Sequence, residues 1–298
     1  MNLAIVAEIQ RRGGAATRAE LLRVATRGSI DNDLATGNLV RLFPRTFCLA
    51  VDADLREIRE RAALVHLGHT AALSHTTALR RWGLPAPSGH VVHAVLPISR
   101  SHRPAAGLRV HRAQLYPPVV RLHGLVTTTP AASVVASWPE LRGSAQRAPA
   151  LTAVRQRLTT PAELRAQADR STRLAGRGRL LEFIGLLEAG CESELELWGY
   201  LKVFSVPGLS HARRQLPLRV RGRSYRADLA YEDELLLVEL DGRAYHSSLE
   251  QRERDIARDA ALATIGWQTV RFSHRRLTTD ISGVRRELLA ILASRRRH

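Results

Sequence analysis

Three carboxylates fall close together in the stretch YRADLAYEDELLLVELDGRAYH, residues 225–246: Asp228, Glu239 and Asp241. The segment alternates as two β-strands around a turn, and the acids occupy positions where a half-buried sheet ordinarily carries apolar side chains. A two-residue turn at Asp233-Glu234 places Asp228 opposite Glu239 and Arg226 opposite Asp241, with Ala227, Leu229, Val238 and Leu240 on the other face. Two carboxylates facing each other across a sheet, with Cβ atoms roughly 5 Å apart, repel unless a cation or a proton lies between them. A metal ion accounts for such a pair. A hard divalent ion takes oxygen ligands, polarises a phosphoryl group and lowers the pKa of bound water.

The elements that must position this pair lie on both sides of it. Ser193-Glu-Leu-Glu196 opens a helix whose first-turn Glu196 can point at the strands as a third ligand. The same Ser and Glu form a capping box, which explains both residues without a metal. Downstream, Ser247-Ser-Leu-Glu250 starts a helix running to about Ile265, Gly266 ends it, and Trp267 to Phe272 reads as another strand before a closing helix from about Ile281. Arg254 and Arg258, one turn apart, either reach DNA phosphate or pair with Asp255 and Asp259 on a solvated helix face.

A helix Glu followed by an Asp and a Glu on adjacent strands resembles the PD-(D/E)xK restriction-endonuclease superfamily. Residues 174–294 resemble more closely an uncharacterised endonuclease-like family related to very-short-patch repair (Vsr) endonucleases. The carrying motifs are Ser193-x-x-Glu196, YRADLAY, LLLVELDGRAYH, Arg254-Asp255-x-x-Arg258-Asp259-x-x-Leu262 and GWQTVRFS. The resemblance implies an α/β/α fold, Mg2+ (or Mn2+) held by Asp228 and Glu239, which Glu196 can join, and attack of an activated water on a DNA phosphodiester. Position 241 is Asp where the wider superfamily carries a Lys, and Lys202 is the sole lysine of the chain. The closer relatives have Asp-Gly followed by His, a form matched by Asp241 and His246, which makes His246 a general base or leaving-group acid. An Arg226–Asp241 ion pair is the structural alternative.

The formal charge of +17 is uneven: residues 1–180 hold 26 Arg against 11 acids, and residues 181–298 hold 19 basic residues against 17 acids. A polyanion such as DNA suits the N-terminal excess, although an Arg-rich composition also follows from a GC-rich genome. Leu3, Val6 and Ile9 mark a first helix ended by Gly13-Gly14. Thr17-Arg-Ala-Glu20 is a capping box for a second, and a third is expected after Ser29, followed by the β-wing LVRLFPRTFCLA. With LSHTTALRRWGLP and LRVHRAQL, this part resembles the winged helix-turn-helix domains of AbiEi-like type IV antitoxins to about Pro139, which implies DNA binding and a toxin partner protein. Arg18, Arg23, Arg41 and Arg45 are its expected phosphate contacts. Asp31 and Asp33 in the third helix would repel phosphates.

Ser74, His75 and His111 have no acid near them in sequence and are read as capping or core residues rather than catalytic ones. Thr160-Pro-Ala-Glu163 and RLLEFIGLLEAG each mark a further helix. The expected organisation is a winged helix-turn-helix at 1–52, an AbiEi-like middle domain at 53–139, a helical connector at 140–180 and a restriction-endonuclease-like α/β/α domain at 181–298. Cys48 and Cys191, far apart in sequence and in apolar surroundings, suit free thiols in the cytoplasm and argue against a cysteine zinc site. Neither an export signal nor a membrane span is expected.

Overall fold

Asn2 starts the first helix: its side-chain oxygen accepts from the N–H of Ala4 at 2.9 Å, and α1 (Leu3–Arg11) follows. The computed structural model describes residues 1–191, 193–220, 222–241 and 249–296, and the chain divides into two units, Met1–Leu180 and Leu181–His298. Leu3, read as part of the apolar stripe, is exposed; Ile5 and Ile9, one turn apart, face the core instead. Gly13-Gly14 stops α1 as expected. At Gly14 φ is +109°, and a Cβ there would lie 2.2 Å from Ile58 Cδ1, so only glycine fits.

After β1 (Ala16–Thr17) comes α2 (Arg18–Leu21), which begins under the expected capping box: the Glu20 N–H donates to Thr17 Oγ1 at 3.2 Å and the Thr17 N–H donates to Glu20 at 2.7 Å. The third helix, α3 (Arg27–Ala35), starts earlier than the sequence suggested. Thr26 is its cap, accepting from the N–H of Ser29 at 3.2 Å, and Ser29 lies inside the first turn. β2 (Leu39–Phe43) and β3 (Thr46–Leu49) form the expected hairpin in a sheet ordered β1-β3-β2, packed on Ile5, Ile9, Leu21, Ile30 and Phe47.

The rest of the first unit holds α4 (Arg56–Leu67), β4 (Ala72–Leu73), α5 (His75–Arg81), β5 (Val92–Pro97), β6 (Leu108–Ala113), β7 (Val119–Leu122), β8 (Leu125–Thr128), α6 (Pro130–Ser137), α7 (Gly143–Arg155) and α8 (Pro161–Arg170). Its sheet runs β6-β5-β4-β8-β7. In the LSHTTALRRWGLP motif, Arg81 donates to the buried Glu60 at 2.8 Å and the Trp82 indole N–H donates to the Thr128 carbonyl at 2.9 Å. Those motif residues hold the fold together. α9 (Arg177–Glu188) leads into the second unit.

There, α10 (Glu194–Gly199) runs into a π-helical turn at Tyr200–Phe204, followed by β9 (Arg213–Val220), β10 (Arg223–Tyr231), β11 (Leu236–Asp241), α11 (Leu249–Ala263), β12 (Gln268–Ser273), α12 (His274–Thr279) and α13 (Ile281–Arg295). The sheet order is β12-β11-β10-β9, with β11 and β12 parallel and the other neighbours antiparallel. The turn sits at Asp233-Glu234, closed by the Leu235 N–H on the Glu232 carbonyl at 3.2 Å. Leu229, Tyr231, Leu236 and Val238 pack with Phe204, Phe272, Val284 and Leu288 on one face; Ala230 and Leu237 pack with Leu262 and Trp267 on the other. Ala227, expected beside Leu229 and Val238, belongs to the second group. Helices therefore cover both faces of the sheet. Among the described residues, no helix is long and apolar enough to cross a membrane.

Candidate active site

The β10–β11 ladder runs from Tyr231↔Leu236 to Leu229↔Val238, the expected register, and stops there. One residue further, the Leu240 N–H donates to the Asp228 carboxylate at 2.9 Å. A side chain thus replaces a ladder bond at the point where the two strands part. On the other side of β10, Gln215 stands opposite Asp228, between the pairs Ala227↔Leu216 and Leu229↔Arg214. Its φ is +48°, an uncommon conformation for a side-chain-bearing residue inside a strand. That backbone turns the Gln215 amide toward Glu196, donating to Oε2 at 3.1 Å.

Glu196 is fixed from both ends. The Ser193 hydroxyl donates to its Oε1 at 2.7 Å, and its own N–H donates to Ser193 Oγ at 3.1 Å, so the capping interaction read from the sequence is present. Glu196, Gln215 and Asp228, with Cys191, Arg214 and Leu240, line a cavity of about 10 Å³, enough for one water-sized particle. Burial raises the Asp228 pKa, opposed by the Leu240 N–H, by Arg258 and by Gln215. A partly desolvated carboxylate of this kind favours a proton or a cation.

Glu239 is held differently. Arg258 of α11 donates to Oε1, and Arg271, its register partner on β12, donates to Oε2 at 3.2 Å. Arg271 also makes a two-pronged contact with Asp259, at 2.7 and 2.8 Å. Desolvation lowers the Arg258 pKa, and its guanidinium stands 5.7 Å over the Tyr225 ring while interacting electrostatically with Asp228. A guanidinium thus links the two acids that the sequence reading joined through a metal. Among the described residues, Glu196, Asp228 and Glu239 do not gather their oxygens into one three-residue cluster. As hard oxygen donors they suit Mg2+ or Mn2+ in kind; Asp228 and Glu196 already face one cavity, and Glu239 would have to leave its arginines.

Asp241 ends β11 in register with Ser273, and its side chain, like the whole of His246, lies outside the described residues. Arg254, Arg23, Arg41 and Arg45 are exposed, whereas Arg258 is half-buried on Glu239. Arg18 pairs with Asp31, and Asp33 is buried, accepting from the Asn2 N–H at 2.9 Å. The two acids that should have repelled phosphates are therefore a paired surface group and an internal cap. Gln215 and Arg271 carried no local signal, because their roles arise from a strand irregularity and from a parallel neighbour distant in sequence.

In the first unit the structure gathers His75, His93, His111 and Glu140. His93 Nδ1 is 3.1 Å from His111 Nε2 and 3.4 Å from Glu140, and the His75 and His111 rings stack with centroids 3.4 Å apart. Burial is the main cause that depresses the pKa of His75 to about 2 and those of His93 and His111 to about 4, and it raises that of Glu140. The acid missing from the local sequence around His75 comes from 65 positions downstream. Nothing in the spacing of these residues marks them.

The second unit is thus a four-stranded sheet flanked by helices, with an acidic cavity where β10 and β11 part. Residues 209–292 match the restriction-endonuclease-like family REase_MTES_1575, so the C-terminal unit is a restriction-endonuclease-like domain. The chain is similar to two uncharacterized proteins of Mycobacterium tuberculosis, MT2308 of strain CDC 1551 and Rv2248 of strain H37Rv. Each is 29% identical over 251 residues, spanning 82% of this chain and 89% of the relative. The crystal structure of RV2827C protein from Mycobacterium tuberculosis aligns with a TM-score of 0.41 at 18% identity, covering 61% of this chain and 76% of that one.

Proposed function

We propose that the protein binds DNA through its N-terminal unit and hydrolyses phosphodiesters at the site between β9, β10 and β11, in the manner of Vsr-like endonucleases. The observation carrying this reading is the meeting of Asp228 and Glu196 on a one-particle cavity at the parting of β10 and β11, held by the left-handed Gln215. Strained backbone of this kind concentrates at functional sites. Asp228 and Glu196, with Glu239 once released from its arginines, would hold Mg2+ or Mn2+, which would supply charge stabilisation at the phosphoryl group and a more acidic water. Gln215 and Ser193 orient Glu196; Asp241 and His246 manage the proton. Arg258 exchanges Glu239 for a substrate phosphate, joined by Arg254.

In the first unit, α1, α2 and α3 with the β2–β3 hairpin support a winged-helix reading at 1–52, followed by a middle domain at 53–139 and a connector at 140–180. Exposed Arg23, Arg41 and Arg45 supply phosphate contacts. A second reading rests on the two-arginine grip on Glu239: a non-catalytic AbiEi-like repressor with a toxin partner, its nuclease fold kept for binding. Mg2+ titration of the melting temperature separates the two. The nuclease reading expects a Mg2+-dependent rise in the wild type that is absent in Asp228→Asn. A wild-type melting temperature indifferent to Mg2+ favours the second reading.

A further inference from the structure

We infer that His75, His93 and His111 form a binding site for a divalent transition-metal ion of the zinc class, with Glu140 as its anionic neighbour, in the first unit. The three histidines come from separate elements: the first residue of α5, β5 and β6. In the parallel β5–β6 pair, His93 stands beside Arg109 and Val95 beside His111, so both histidines project from the same face, two residues apart in register. Their ligand nitrogens lie 3.1 Å apart, and one nitrogen from each of the three rings falls within 4.8 Å of the others. Nitrogens bound tetrahedrally to zinc at 2.0–2.1 Å lie roughly 3.3 Å apart, so the spacing suits coordination once the stacked rings of His75 and His111, 15° apart in plane, turn their in-plane lone pairs toward a common point.

The surroundings have the form of a metal site's outer shell. His75 Nδ1 lies 3.0 Å from Ser74 Oγ, a hydroxyl that can accept from Nδ1–H in the tautomer whose Nε2 binds a metal. The His75 backbone is held at φ +49°, directing the ring at its neighbours from the start of α5. Glu140 approaches His93 at 3.4 Å and His111 at 3.9 Å, spacings of adjacent ligands in one coordination sphere. Arg109, 3.5 Å from Glu140, holds the carboxylate in place. His75 and His111 border a cavity of about 670 Å³ through which an ion can reach them; Glu140 offsets part of the repulsion from Arg109, Arg112, Arg142 and Arg173 on the same wall. Imidazole nitrogens beside a single carboxylate suit Zn2+ or Co2+ and not Mg2+, which keeps this site chemically distinct from the Asp228 site.

The test is a titration of chelator-treated full-length protein with Co2+, followed by visible absorption and by displacement with Zn2+. The proposal expects one equivalent with the intense visible bands of nitrogen-ligated Co2+ in low coordination, bleached by Zn2+. His93→Gln and His111→Gln are each expected to weaken binding at least ~10-fold. Where His93→Gln proves poorly folded by circular dichroism, the half-buried His75→Gln gives the same readout. Absence of the bands, or bands that survive in His111→Gln and His75→Gln, would overturn the proposal and leave the cluster as a neutral stacked core.

Discussion

Asp228 and Glu239 carry the same charge in opposite settings, and substitutions read the difference. Burial raises the Asp228 pKa, so the folded state holds the proton more tightly than the unfolded chain does; that contribution to stability is present at low pH and lost as pH rises through the folded-state pKa. Asp228→Asn keeps a carbonyl acceptor for the Leu240 N–H and removes the desolvated charge. It should raise the melting temperature at pH 7 by about 2 °C or more. Glu239→Ala, by contrast, leaves the half-buried Arg258 without its carboxylate and should cost about 1.5–3 kcal/mol in urea unfolding, the range for hydrogen bonds to charged groups. A Glu239→Ala variant as stable as the wild type would mean that the arginine grip carries no stability. The acids themselves were legible in sequence, since a carboxylate on a strand stands out against its alternation. Their partners were not: the pairing of Glu239 with Arg271 depends on a parallel crossover, and that of Glu196 with Gln215 on one residue's φ.

Capped helix starts were the most readable elements, because a cap and its acid are three residues apart and need no tertiary context. Thr17 with Glu20 and Thr160 with Glu163 both form as expected. At α3 the expected start after Ser29 gave way to one capped by Thr26, three residues earlier. The strand irregularity at Gln215 had no local signature, yet it is coupled to a readable glycine. A Cβ at Gly190, whose φ is +90°, would lie 2.7 Å from Gln215 Cγ. Gly190→Ala should therefore destabilise the protein by roughly 1–3 kcal/mol and displace Gln215 from Glu196; an unchanged urea midpoint would contradict this. The histidine cluster gives a pH prediction at the same scale. Its rings have folded-state pKa values of about 2 and 4, below the ordinary 6.5, so the unfolded chain binds more protons in between. Stability should be full above pH 6.5 and fall as pH drops toward 4, and His93→Gln should flatten the fall. A melting temperature constant over that window would contradict the burial of neutral rings.

Across the whole molecule the charge divides unevenly, with a net +15 before residue 181 and +2 after it, while the acidic site lies in the second unit. This division was legible from composition, and β10, β11, β12 and the β10–β11 register followed from alternation and turn chemistry, whereas β9 was not expected. If the exposed arginines of the first unit capture DNA, the triple variant Arg23→Ala, Arg41→Ala, Arg45→Ala should bind duplex more weakly. Its log affinity against log salt should be shallower by about 2.7, at roughly 0.9 per lost phosphate contact. A slope unchanged from wild type would place DNA capture elsewhere.

The central claim is tested most directly by incubating purified full-length protein with plasmid and linear DNA in Mg2+ or Mn2+, beside Asp228→Asn and a chelator control. The account predicts nicking or cutting that stops in chelator and falls at least ~100-fold in Asp228→Asn, with DNA binding retained. Intact DNA under both ions, or a variant as active as the wild type, would contradict it.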